Sequence, residues 1–181
     1  MILNRSDGVI NFIDYESREF VGYKQDFVGD SDHYLTISHD PRLNIYIITS
    51  PLKTIIYDDF SFEIKIKMES KVLDVGVGID GTVLFLLSSN KIVKKSLVSK
   101  DLEENIEIPQ GNLKQLQYSP NSLFYAAMVN NPYSINIWAS GNNQTLFSFN
   151  ENAKFDNFCI SGDFNSLDSS KKIQNYVVCY D

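Results

Sequence analysis

The chain has two histidines, His33 and His39, and each stands beside an aspartate, in Asp32-His33 and His39-Asp40. Neighbours in sequence do not turn a carboxylate onto an imidazole as acid–base catalysis requires, so turn or surface roles are expected for both pairs. Gly76, Gly78 and Gly81 echo a phosphate-binding loop. Such a loop must open a helix, whereas Val83 to Leu87 reads as a strand. Asp101, Glu103 and Glu104 could draw a cation but lack the alternating ligand spacing and glycine of a calcium loop, which leaves a solvated acidic loop. Cys159 and Cys179 are too few and too far apart for a zinc framework, and each lies in an apolar strand. They are expected to be buried free thiols in a reducing compartment. These residues predict no catalytic group, no cofactor and no metal.

Composition narrows the partners. The 181 residues carry a net charge of −7, and the basic residues are scattered, which argues against nucleic acid. Lys91, Lys94 and Lys95 come closest to a cluster, but on a strand they point to both faces and read as a solvated surface. There is no run of 18 apolar residues, so no membrane span is expected. Met1 to Asp7 lacks the charged-then-apolar pattern of a signal peptide, and a cytoplasmic chain is expected, with the nucleus as the alternative.

The elements that position these side chains are short strands separated by turn signals. Ser38-His39-Asp40-Pro41, Gly78-Ile79-Asp80-Gly81, Ser119-Pro120-Asn121-Ser122 and Ser161-Gly162-Asp163 recur at intervals of 40, 41 and 42 residues. A short apolar strand precedes each: Tyr34 to Ile37, Val72 to Val77, Leu113 to Tyr118 and Phe155 to Ile160. A second strand follows the first three, at Leu43 to Ile48, Val83 to Leu87 and Leu123 to Val129. A fixed period of about 40 residues marks a repeat architecture in which each unit buries its apolar face against the next.

Leu116-Gln117-Tyr118-Ser119-Pro120-Asn121-Ser122 and Ile135-Asn136-Ile137-Trp138-Ala139 resemble one repeat of the WD40 β-propeller family. The first stretch matches the family's apolar-spacer-aromatic lead into Ser-Pro-Asp-Gly, and the second its apolar strand closing in Trp-Asp. Ala139 stands where that aspartate would be, and the chain has no Gly-His dipeptide. The resemblance implies an all-β, propeller-like fold of four-stranded antiparallel blades, about four to five in number. It further implies a non-catalytic scaffold that binds other proteins within a larger complex. A propeller enzyme or small-molecule binder using a central channel is the alternative.

As one domain over residues 1–181, the copies divide at about 1–31, 32–69, 70–110, 111–152 and 153–181. The first offers Val9 to Tyr15 as a third strand and Glu19 to Tyr23 as an outer one. In the second, Phe62, Ile64 and Ile66 alternate with charged residues, as on a half-exposed edge strand. The third ends in Ile106 to Ile108. The last ends in Tyr176 to Tyr180, read as a third strand whose edge must be covered. Either the two ends combine to close a small ring, or the chain is part of a larger propeller, or a partner chain supplies a strand.

In the resembled family, loops from an outer strand to the next blade open on the same face as loops from second to third strands. Candidate protein-binding residues there are Asp26, Phe27, Asp30, Asp32, Asn131 and Tyr133. Phe27 and Tyr133 would serve as aromatic anchors, and the aspartates would steer a basic partner.

Overall fold

A computed structural model describes residues 2–4, 8–14, 16–29, 35–99, 101–106, 108, 111–130, 134–150, 157–162 and 175–180. These residues are all-β, and they form two compact units, Met1–Val72 and Leu73–Asp181.

The first unit holds two antiparallel sheets. Strands β1 (Ile2–Asn4), β2 (Ile10–Ile13) and β3 (Phe20–Lys24) form one, in that order. Strands β4 (Thr36–Asp40), β5 (Ile45–Thr49), β6 (Thr54–Asp58) and β7 (Ile64–Met68) form the other, also in order. Ile10 and Phe12 of the first sheet pack with Ile48, Ile55 and Tyr57 of the second, and Phe27 completes this core. The expected turn at Ser38 to Pro41 lies further on. Ser38, His39 and Asp40 pair with Ile47, Tyr46 and Ile45, so the chain turns at Pro41 to Asn44, with Asn44 at φ 52°.

The outer strand β7 is also displaced from its expected start. Phe62 precedes it at φ 53°, and its ring lies 4.1 Å from that of Phe12. The alternation runs on to Met68 instead: Ile66 and Met68 are buried while Lys65 and Lys67 are exposed.

The second unit holds β8 (Val72–Val77), β9 (Thr82–Leu87), β10 (Lys91–Ser96) and β11 (Glu103–Ile106) in one antiparallel sheet. Strands β12 (Asn112–Tyr118), β13 (Phe124–Asn130), β14 (Ser134–Ala139) and β15 (Thr145–Asn150) make the next. β16 (Asn157–Gly162) pairs with β17 (Asn175–Tyr180). Every residue of β9 is buried, as an unbroken apolar run in an inner strand should be. Between the two four-stranded sheets lie Leu84, Leu86 and Ile92 on one side and Leu116, Tyr125 and Trp138 on the other. Trp138 stacks on Tyr125 at 5.4 Å between centroids.

Four expectations change here. β17 pairs directly with β16, from Asn157↔Tyr180 to Gly162↔Asn175, so it takes the second place in its sheet, not the third. Ser161 and Gly162 accordingly belong to a strand, and Asp163 lies outside the described residues. The third sheet's outer strand is Glu103–Ile106, because Glu103 and Glu104 pair with Lys95 and Lys94 across the ladder. Cys159 is a free, exposed thiol, since Phe158 and Ile160 on either side of it face the core.

The outer strands share a local device. In three sheets the pairing shifts by one residue, at Phe12/Ile13, Ile56/Tyr57 and Ile137/Trp138, leaving Val21, Lys65 and Leu146 as bulged residues. Two residues before each of these outer strands the backbone is left-handed, at Arg18, Phe62 and Asn143. A bulge of this kind bends an edge strand and increases its local twist.

Candidate interaction surface

The best-built surface in the second unit is made of turns. In the Gly78 to Gly81 turn, Asp80 Oδ1 accepts the Thr82 amide at 3.0 Å and Oδ2 accepts the Thr82 hydroxyl at 2.9 Å. In the Ser119 to Ser122 turn, Asn121 Oδ1 accepts the Leu123 amide and the Ser119 hydroxyl. The turns are tied to one another, since Ser122 Oγ accepts the Ile79 amide at 2.8 Å. The loop after β10 joins them, with the Leu97 amide donating to Gly81 O at 2.9 Å. These bonds hold three aliphatic side chains in the open: Ile79 is 48% exposed, Val98 83% and Leu123 57%. Leu123 thus lies in the turn, one residue before the strand it was expected to open.

Behind this end runs a polar network centred on Lys94, which is only 7% exposed. Its ammonium donates to Ser140 O at 2.9 Å and lies 3.6 Å from Glu104 Oε2. Asn143 donates to the same carboxylate oxygen and accepts from the Tyr125 hydroxyl at 3.2 Å. Burial pushes the Tyr125 phenol well above its ordinary value, so it stays a donor. Lys94 is therefore no solvated lysine. Its stem crosses the apolar layer and its charge is met at the far end.

In the first unit, His39 finds a carboxylate that sequence adjacency hid. Its Nε2 lies 2.8 Å from Asp59 Oδ2, twenty residues away, and its ring stacks on Tyr46 at 4.6 Å. Burial and then the Asp59 carboxylate push the Tyr46 phenol up to about 12. Among the described residues, no serine, threonine or cysteine hydrogen-bonds to the His39 ring.

Of the residues expected to bind protein, Asp30, Asp32, Asn131 and Tyr133 lie outside the described residues. Asp26 is half-buried and accepts the Tyr57 hydroxyl at 2.9 Å. Phe27 is fully buried, with the Lys53 ammonium over its ring at 5.4 Å. It cannot serve as an exposed anchor, because its ring fills the core between the two sheets of its unit.

Sequence reasoning missed a second set, the residues that close each third strand. Asp14 Oδ1 accepts the amides of Glu16 and Ser17, and Asp58 Oδ1 accepts those of Phe60 and Ser61. Ser96 Oγ does the same for Val98 and Ser99. Ala139 holds the equivalent place, with its amide bonded to Gln144 O as those of Asp14 and Asp58 are to Glu19 O and Glu63 O. The signal was present in Ile13-Asp14 and Tyr57-Asp58, which end apolar strands as Trp138-Ala139 does.

No family model matches the chain, and no curated protein matches it in sequence. Its backbone, however, is similar to the crystal structure of Saccharomyces cerevisiae Sqt1, with a TM-score of 0.72 over 99% of this chain. The chain has an all-β, propeller-like fold of antiparallel sheets. Identity over that match is 8%, which carries the likeness no further than the fold. The chain spans about half of Sqt1, 51% of its length. Among the described residues, no helix is long and apolar enough to cross a membrane, and no three His, Cys, Asp or Glu side chains gather as a metal site would need.

Proposed function

We propose that this chain is a non-catalytic scaffold that docks another protein as part of a larger complex. The observation that carries this reading is the set Ile79, Val98 and Leu123, three exposed aliphatic side chains on hydrogen-bonded turns. Aliphatic groups held in water by a rigid backbone offer contact area at little ordering cost when a partner covers them. The reading includes one propeller domain with copies near 1–31, 32–69, 70–110, 111–152 and 153–181, a cytoplasmic setting, and Asp26 as a rim charge.

Affinity purification of the full chain tests it, run beside an Ile79→Asp/Leu123→Asp variant. Proteins captured by the wild type and lost by the variant support docking through these turns. Equal capture by both, with the variant's fold intact, removes the reading.

A further inference from the structure

Outer strands differ in how they guard their open edges. β7 carries Lys65 and Lys67, and β11 carries Glu103 and Glu104, charges that deter pairing with other chains. β3 has none until its last residue, and Phe20, Val21 and Tyr23 are all exposed. Among the described residues it pairs with β2 alone, and none of them pairs with its other edge. Residues three apart on a regular strand face opposite ways. Here the bulge at Val21 restores them to one face, and the Phe20 and Tyr23 rings lie 6.5 Å apart and nearly parallel.

The hydrogen-bonding direction follows from the ladder. The Asp14 amide donates to Glu19 O at 2.9 Å, so Glu19 bonds towards β2. By antiparallel alternation, Phe20 turns its N–H and C=O to the open side, and past the bulge Tyr23 does likewise.

The segment Glu19-Phe20-Val21-Gly22-Tyr23-Lys24 is complementary to itself when reversed. Laid antiparallel about its centre, it sets Phe20 against Tyr23, Val21 against Gly22 and Glu19 against Lys24. Neither Glu19 nor Lys24 carries an ion pair to another described residue. A two-fold axis normal to the sheet would gather four aromatic rings on one face and two opposite-charge pairs on the other. We propose that β3 is a docking edge for β3 of a second copy of this chain, joining the two three-stranded sheets into one of six strands. β15 is equally free of charge, but Thr145 to Asn150 has no charged ends to fix such a register. The dimer is independent of the scaffold reading, since it involves none of the turns in the second unit.

Sedimentation equilibrium on the full chain in about 0.15 M salt tests the register through charge. The wild type should dimerise in the micromolar range, ~1–100 µM. Glu19→Lys places lysine against lysine and Lys24→Glu places glutamate against glutamate, so each alone should weaken the dimer at least about tenfold. An equimolar mixture of the two variants restores both opposite-charge pairs and should recover dimers of mixed composition. Glu19 is exposed and Lys24 half-buried, and unchanged denaturation midpoints would show that the fold is kept. A wild type that stays monomeric overturns the proposal, as does a dimer that both single variants retain or a mixture that fails to pair. A monomer that binds a foreign strand at β3 overturns it too.

Discussion

Gln115 holds the peptide of Phe158 from both sides. Its Nε2 donates to Phe158 O at 3.3 Å while its Oε1 accepts the Phe158 amide at 3.3 Å. Two residues on, Gln117 Oε1 accepts the Ile160 amide at 3.1 Å. On the other flank, Asp74 Oδ2 accepts the Leu116 amide at 2.8 Å. The first strands β8, β12 and β16 belong to separate sheets, yet side chains stand in for the missing ladder between them.

The glutamine clamp predicts an ordered pair of losses. Gln115→Ala removes two bonds and Gln117→Ala one, so the costs should be about 2 and about 1 kcal/mol, since each net hydrogen bond contributes near 1. Urea denaturation measures the difference, and hydrogen exchange should show the Phe158 and Ile160 amides exchanging faster in the respective variants. Equal losses would mean that packing of the glutamine stems, not the bonds, sets the cost.

Ser122 sits at φ 56°, where a side chain is strained, but its hydroxyl holds the Ile79 amide. Ser122→Ala keeps the strain and loses the bond, and should cost roughly 1 to 2 kcal/mol. Ser122→Gly loses the same bond but relieves the backbone, so it should lie close to the wild type. A glycine variant less stable than the alanine one in a thermal or urea midpoint would contradict this account.

The period of the repeat was legible because turns and apolar runs are local signals. Most strand places in the second to fourth copies could be read from it. What stayed hidden depends on partners distant in sequence. Lys94 reads as one of three scattered lysines until Ser140 and Glu104 meet its ammonium, and His39 reads as a turn residue until Asp59 arrives from the next hairpin. Phe27 was read as a loop aromatic, although Gly8 at φ 81° passes so close to the Phe27 carbonyl that a β-carbon there would lie 2.1 Å from it. That close approach brings the loop onto the core and buries the ring. The closing carboxylates Asp14 and Asp58 were readable, but only by aligning third strands instead of first turns.

Those carboxylates give the acid limb of the stability curve a definite sign. Amide donation from Ser61, then the Lys65 ammonium, hold Asp58 down at about 2. Asp40 is lowered by Arg42, and Asp14 by the Ser17 amide. A lowered folded value stabilises the protein above the unfolded carboxylate's pKa near 4, and the stability is lost as pH falls through the folded value. Asp74 has the opposite sign, because burial raises it by disfavouring the charged carboxylate relative to the neutral acid. Asp58→Asn should therefore be less stable than the wild type at pH 7, with the gap closing as pH falls from about 4 towards 2. Chemical denaturation across that range measures the gap, and a gap that is constant with pH would assign the loss to the turn's geometry alone.

Trp138 is the largest fully buried side chain among the described residues. It is 1% exposed, stacked on Tyr125, and shares its cluster with Leu84, Leu86 and Ile92 of the neighbouring sheet. Trp138→Ala should cost roughly 3 to 5 kcal/mol, because the cavity lies between two sheets that cannot close over it without moving whole ladders. Trp138→Phe keeps a ring against Tyr125 and should cost less, about 1 to 2 kcal/mol. The two losses also separate packing from hydrogen bonding. The Tyr125 hydroxyl reaches Asn143, and through it the Glu104 carboxylate that Lys94 faces. If Tyr125 is positioned by the indole, Trp138→Ala should loosen this network, and Ser140, whose carbonyl receives the Lys94 ammonium, should show faster amide exchange than in Trp138→Phe. A midpoint shift under about 1 kcal/mol for the alanine variant would place the indole outside the core.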